Sequence, residues 1–335
     1  MQIHLILDPR LPPRRLAQLG ALAEQHGIAG VWVSSLLGAT DPFVGFVPLA
    51  LATQRLRMGP IAVNPFDTHP ARIATALLTL NEIAAGRTQI VIGGGAEALA
   101  GLGIKPEKRV LAVRECVELL RMASSGKRGD FDGKLYRATG FGCEWVTAPA
   151  PPIWIGANGP QMLSMAAQTA DGIMVSDLPQ PVLGQAIAGA NKTRAAKLPS
   201  AAPLQFSNFV AWHVYEDLER ARLEARRWLA YRGLNRRWVC TTFMSDSEFD
   251  LIETRMPDFY KMAHGGGDIE GVPPALLDLL IDKLTLTGQP SRLEIVLQHL
   301  DELRAAGLTQ VALRLYADPE ASIALIGQRV LPHVI

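Results

Sequence analysis

Three short stretches carry the residue types best suited to hold a flat or phosphorylated ligand. Gly93-Gly94-Gly95 follows an apolar run, and a backbone without side chains can approach a ring or a phosphate closely. Gly156-Ala157-Asn158-Gly159-Pro160 passes from another apolar run straight into a helical pattern. The first N–H groups of such a helix lack intrahelical partners and can bind a phosphate, while a tight turn capped by Asn158 is the plainer alternative. In the third stretch Pro60 cannot donate a ladder hydrogen bond, so the strand through Ile61 and Ala62 is expected to bulge or bend. Asn64, just beyond, offers an amide to a ligand, whereas His69 before Pro70 fits a structural place at a helix start.

Other reactive side chains point less clearly to chemistry. Arg314 sits among Ala312, Leu313 and Leu315, where burial would demand a partner, and an anion near a strand end is one such partner. Asp8 ends the first strand and either faces a site or makes a turn with Pro9. His213 and His264 have no neighbours at metal-ligand spacing, and no metal site is expected. Cys116, Cys143 and Cys240 lack a C-x-x-C spacing, so they read as packed or surface thiols rather than a disulfide framework or zinc site. No Gly-x-Ser-x-Gly elbow is present, which argues against a nucleophilic hydrolase.

Composition narrows the class of partner. The 335 residues are 48% hydrophobic with a formal charge of +1, enough for a large core but without a field to gather nucleic acid or an anionic membrane. A small-molecule substrate is expected instead. No run of about 18 apolar residues appears, and no basic segment with an apolar stretch precedes the first strand, so a cytoplasmic protein is expected.

The elements that must position these residues alternate between short β-branched runs and longer helical periods. Strands are expected at Ile3–Leu7, Gly30–Ser34, about Met58–Val63, Thr88–Ile92, Pro152–Ile155, Gly172–Val175, Leu204–Val214 and Gln310–Leu315. Helices are expected between them, including one opened by Asp41-Pro42 and a closing one over Pro319–Val330. Residues 126–150 suit a hairpin-like insertion; 233–289 read as the least regular stretch, and the Gly265-Gly266-Gly267 run within it as a mobile loop. Eight strands with interleaved helices predict one (β/α)₈ barrel domain over residues 1–335 with those two insertions. A Rossmann sheet is the weaker alternative, because no G-x-G-x-x-G follows the first strand. The glycine stretches then fall at C-terminal strand ends, where barrels carry their sites.

Several motifs in order along the chain resemble the luciferase-like monooxygenase superfamily. They are Met58-Gly59-Pro60-Ile61-Ala62-Val63-Asn64-Pro65 with Thr68-His69-Pro70, Leu80-Asn81-Glu82-Ile83 with Gly86-Arg87, and Ile92-Gly93-Gly94-Gly95. Residues 98–104 and 152–172, the latter with Ile155-Gly156-Ala157-Asn158-Gly159-Pro160 and Ala170-Asp171-Gly172, resemble in particular the F420-dependent branch that includes methylenetetrahydromethanopterin reductases. The resemblance implies a non-prolyl cis peptide between Ile61 and Ala62, coenzyme F420 or alternatively FMN at the barrel mouth, and a homodimer. It implies cofactor contacts from Ile61, Ala62, Asn64, Gly93, Gly94, Gly95, Gly156, Ala157, Asn158, Gly159 and Pro160.

The chain also departs from that pattern. Where many members carry an acidic residue and a histidine after strand two, it has Ser34 and Ser35, and Ile6 and Ala96 stand where the reductase branch tends to have carboxylates. A serine hydroxyl has no useful proton affinity near neutral pH. Glu97 is the nearest replacement, either reaching the mouth or remaining a solvated loop acid. The expected activity is hydride transfer between F420 or FMN and a small organic substrate, with a pterin-type one-carbon carrier as one option. An FMN-dependent monooxygenase and a non-catalytic flavin- or pterin-binding barrel are the alternatives.

Overall fold

Alternate residues of the parallel strands feed two different cores, and this pleat organises the whole molecule. The computed structural model describes residues 1–95 and 97–334, with 97 and 98 described by backbone alone. The ring consists of β1 (Gln2–Leu7), β2 (Gly30–Ser34), β3 (Arg57–Ile61), β4 (Ile90–Ile92), β5 (Ile153–Gly156), β6 (Gly172–Ser176), β7 (Gln205–Val214) and β8 (Gln310–Leu315). Parallel pairing runs continuously from β3 through β2, β1, β8, β7, β6 and β5 to β4. The remaining gap is bridged by Met58 with Thr88 and by Val63 with Ile92, which closes the barrel. Gly59 permits that closure, because a Cβ there would lie 1.7 Å from the Gln89 carbonyl oxygen.

Inward residues fill the lumen in layers. Ile6, Trp32, Ile61, Val91, Trp154, Met174 and Ala312 form one apolar cluster. Nearer the N-terminal strand ends, His4 Nδ1 lies 3.2 Å from Gln89 Nε2, and Gln310 Nε2 donates to Ser207 Oγ at 3.1 Å. Burial, reinforced by the Arg57 charge, pushes the His4 pKa down to about 3, so the ring is neutral in the fold. Outward residues such as Leu5, Val31, Ile90, Ile155 and Val175 join the larger core beneath the helices. Burying each aliphatic side chain of this size contributes about 1.5–3 kcal/mol.

The helices α1 (Pro13–Gln25), α2 (Val47–Ala52), α3 (Pro70–Ile83), α4 (Glu97–Gly101), α5 (Arg109–Ser124), α6 (Pro160–Thr169) and α7 (Gln180–Lys197) follow in chain order. Asp41 does not cap a helix beginning at Pro42. Its Oδ1 accepts the N–H groups of Phe43 and Val44, making a turn that delays α2 to Val47. Residues 126–150 contain the antiparallel strands Gly129–Asp132 and Arg137–Phe141. The buried Glu115 carboxylate on α5 accepts the N–H groups of Lys134, Leu135 and Tyr136 at 2.8–3.0 Å, and the Tyr136 hydroxyl donates to the Pro65 carbonyl at 2.9 Å. The hairpin thereby braces the loop that leaves β3.

While Gly265-Gly266-Gly267 lies in the loop between two of its helices, the stretch 233–289 is more regular than expected. After α8 (Leu218–Trp228) it holds α9 (Arg237–Cys240), α10 (Asp246–Ala263), α11 (Pro274–Leu284) and a strand at Thr285–Gly288 that pairs parallel with the second half of β7. A Ser245–Glu248 capping box starts α10, and buried Phe249, Ile252, Phe259 and Met262 give it an apolar face despite Pro257. After α12 (Glu294–Ala305) and β8, the closing helix is divided into α13 (Pro319–Leu325), a π-helical turn at Ile326–Val330 and α14 (Leu331–Val334).

Candidate functional site

The C-terminal ends of β2 to β7 surround a cavity of about 440 Å³. Its inner wall is apolar, from Ile61, Val91, Met174 and Phe209, and its rim is polar, from Ser34, Ser35, Asn64, Asn158 and Ser176. The Ile61–Ala62 peptide is cis, and both residues line the cavity. The chain then rejoins the barrel, with Val63 N–H donating to the Val91 carbonyl at 3.0 Å and Gly93 N–H to the Val63 carbonyl at 2.8 Å. These two bonds fix Ala62 against the glycine loop.

Gly93, Gly94 and Gly95 form the next part of the wall. A Cβ on Gly93 would meet the Ala62 Cβ at 3.0 Å, and Gly95 has a φ of +75° with Leu99 where a Cβ would point. Bulkier residues would therefore fill or distort this surface. Arg109 and Met162 close over Gly94 from α5 and α6.

Asn158 bridges the ends of β5 and β6. Its Oδ1 accepts Ser176 N–H at 3.0 Å and its Nδ2 donates to Ser176 Oγ at 3.3 Å. Gly156 lines the cavity beside it, but Ala157 is buried in the outer core and its N–H donates to the Met174 carbonyl at 3.0 Å. Gly159 caps α6 ahead of Pro160 at the first helical position, and both are exposed beyond the cavity wall. Asn64 lines the cavity, yet its Oδ1 accepts from Phe66 and Asp67 N–H and its Nδ2 donates to Asp67. It thus shapes its own loop. His69 Nδ1 accepts from Ala71 N–H at the start of α3, in the structural place expected for it.

Ser34 and Ser35 stand on the cavity wall, with Ser35 N–H donating to the Ile61 carbonyl at 3.0 Å. Ile6 lies in the apolar lumen below. Ala96 and the side chain of Glu97 lie outside the described residues, although Glu97 begins α4 immediately beyond the glycine loop. Among the described residues on the cavity wall, none is titratable.

The ends of β7 and β8 are occupied by a separate network. His213 Nδ1 lies 3.0 Å from Glu224, which also accepts from the Tyr215 hydroxyl. Tyr316 stacks on His213 at 4.8 Å and on Trp228 at 5.0 Å. Burial lowers the His213 pKa against the raising effect of Glu224. Arg314 pairs with Asp8 at 3.5 Å and lies over the Tyr316 ring. Among the described residues no group of three His, Cys, Asp or Glu side chains is placed to hold a metal, and no helix is long and apolar enough to cross a membrane.

Sequence patterns did not single out Val91, Met174, Ser176 or Phe209 as cavity residues. The period-two alternation along β6 was the available signal, but the expected strand stopped at Val175, one residue before Ser176.

Comparison with known proteins places this geometry. The chain is 28% identical over 325 residues to the 5,10-methylenetetrahydromethanopterin reductase of Archaeoglobus fulgidus, covering 93% of each chain. It is 34% identical over 178 residues to the F420-dependent glucose-6-phosphate dehydrogenase of Nocardia farcinica, covering 48% of this chain and 53% of that protein. In fold it matches the coenzyme F420-dependent tetrahydromethanopterin reductase of Methanopyrus kandleri with a TM-score of 0.83 at 21% identity, over 100% of this chain and 99% of the other. The model of the luciferase-like monooxygenase family matches residues 1–310, and the chain belongs to that family.

Proposed function

We propose that the protein is an oxidoreductase that holds coenzyme F420 at the barrel mouth and exchanges hydride between it and a small organic substrate. The observation that carries this reading is the cavity itself, where Ile61, Ala62 and Gly93 to Gly95 meet as one surface without bulky side chains. A cavity of about 440 Å³ with an apolar floor and a few rim hydroxyls and amides suits a flat heterocycle. Ile61, Ala62 and the glycine loop would support the ring, and Gly156 and Asn158 would lie toward the tail. When bound, the deazaflavin supplies the hydride chemistry, while the chain contributes orientation and exclusion of water.

F420 is preferred to FMN because a relative matched over 93% of both chains is a methylenetetrahydromethanopterin reductase and another relative is named for F420. The first relative also makes a pterin-linked one-carbon carrier the first substrate to try. Ser34 and Ser35 would hydrogen-bond the substrate, and Glu97, following the glycine loop, is the group we assign to proton exchange. Exposed Val44 and Leu51 near α2 support a homodimer, checked by sedimentation velocity. Three buried, unpaired cysteines suit a reducing cytoplasm.

The direct test is titration of the purified protein with oxidised F420 and with FMN, followed by fluorescence. Micromolar binding of F420, about tenfold or more tighter than FMN, is expected. No saturable binding of either would remove the proposal.

A further inference from the structure

The cavity floor sits on the apolar lumen cluster, and among the described residues the partly buried apolar side chains that pack onto that cluster are Ala62 and Phe209. They belong to opposite walls. Going round the ring, β7, which carries Phe209, lies four strands from β3 in either direction. A flat cofactor supported by Ala62 and the glycine loop therefore turns its other face toward the β7 wall, where Phe209 lines the cavity.

Phe209 is held from behind by a charge. The Arg232 guanidinium lies 4.7 Å from the centre of its ring, while Arg232 itself is buried and does not line the cavity. Nη1 of Arg232 is 3.3 Å from Oδ1 of Asp177, which is also buried, and its Nε has no hydrogen-bond partner among the described residues. Burial by itself lowers the Arg232 pKa, but Asp177 and Tyr316 outweigh it and the group stays charged. Gly233, at φ +69°, turns the chain so closely against Asp177 that a Cβ would lie 3.3 Å from the Asp177 Cβ, which sets Arg232 in place. A buried cation is costly unless paired, and here the pairing is shared between one carboxylate and the face of one ring. The ring is thereby fixed against the cavity.

We infer that Phe209 is a specificity-determining residue that stacks a planar aromatic ring of the substrate opposite the cofactor, and that Arg232 is the positioning residue that holds it there. The inference rests on the proposed function, which gives the β3–β4 wall to the cofactor. Aromatic rings attract one another in offset or edge geometry beyond the area they bury, and a saturated ring of the same size does not. A cation behind the phenyl ring draws its π density that way, so the cavity side suits an electron-rich ring. The substrate is therefore a molecule whose reacting carbon adjoins a flat ring system.

The test uses F420-loaded protein titrated with a matched pair of neutral lactams, planar 2-quinolone and its saturated octahydro analogue, read by fluorescence of the bound F420. The planar probe should bind about three- to tenfold tighter. Phe209→Leu should bring the two probes within about twofold of each other while F420 affinity changes less than about threefold. Arg232→Met combined with Asp177→Asn, which removes both charges together, should lower the planar preference. A role for Arg232 in stability alone would lower the thermal midpoint and leave the ratio of the two probe affinities unchanged, and that result overturns the positioning role. Equal affinity of the two probes for the wild type, or no saturable binding of either, overturns the inference and leaves the cofactor reading intact. Protein that binds no F420 removes both. Should either variant not fold, a crystal structure of the wild type with F420 and 2-quinolone decides the matter. A probe ring centred within about 4.5–7 Å of a Phe209 ring still covered by Arg232 supports the inference. A probe bound elsewhere, or a Phe209 ring turned away from Arg232, overturns it.

Discussion

Asn158 and Ser176 grip each other through two hydrogen bonds, backbone N–H to amide oxygen at 3.0 Å and amide nitrogen to hydroxyl at 3.3 Å. The pair joins the ends of two neighbouring strands at the cavity rim. Asn158→Ala should remove both bonds, lowering stability by about 1–2 kcal/mol and weakening F420 binding by about tenfold. Denaturant unfolding and fluorescence titration measure the two effects separately. An alanine variant with unchanged F420 affinity would show that the grip serves the fold alone.

The glycines at the mouth and in the barrel wall should fail in different ways. Gly93→Ala places a methyl 3.0 Å from Ala62 Cβ at the cavity surface, so F420 affinity should fall with little loss of stability. Gly59→Ala would drive a methyl into the Gln89 carbonyl at 1.7 Å and force β3 from β4, costing about 3 kcal/mol or more. Thermal denaturation beside ligand titration distinguishes a blocked cavity from an opened barrel.

Glu97→Gln tests the proton assignment. The variant should bind F420 as the wild type does and lose about 10²- to 10⁴-fold in turnover with the substrate. Full activity in the glutamine variant would move proton exchange to solvent or substrate.

Stability should depend on pH through His4. Its folded pKa, about 3, lies below the ordinary histidine value of 6.5, so the unfolded chain takes up a proton first as pH falls. The stabilisation is therefore complete above pH 6.5 and is lost as pH falls from there toward 3, at up to about 1.4 kcal/mol per pH unit. His4→Gln, which removes the titrating ring, should show a flatter profile between pH 6.5 and 4.5 in urea unfolding. Parallel profiles for the two proteins would assign the dependence to other groups.

Much of the framework was legible before any coordinates, for local reasons. Alternating β-branched and helical periods follow from which face of each element is buried, so the ring strands could be recognised individually. The motif through Pro60 to Asn64 and the glycine loop carried their resemblance in consecutive residues, and the expected Ile61–Ala62 cis bond is present. Asn64 was less legible, because its type suited a ligand but its amide bonds its own loop. The helices within residues 233–289 were not recognised, because irregular features such as Pro257 inside α10 interrupt the period in the sequence.

The amino-acid sequence by itself determined the parallel barrel, the mouth at its strand ends and the small residues that line one wall, because each depends on short-range pattern and on the absence of side chains. Only the tertiary structure decided which distant groups share an environment. Arg232 and Arg236 reach Asp177 and Ser176 across 55 to 60 residues, and His4 meets Gln89 across 85. Their charge and protonation follow from desolvation and proximity, which the closed barrel creates and no local spacing encodes.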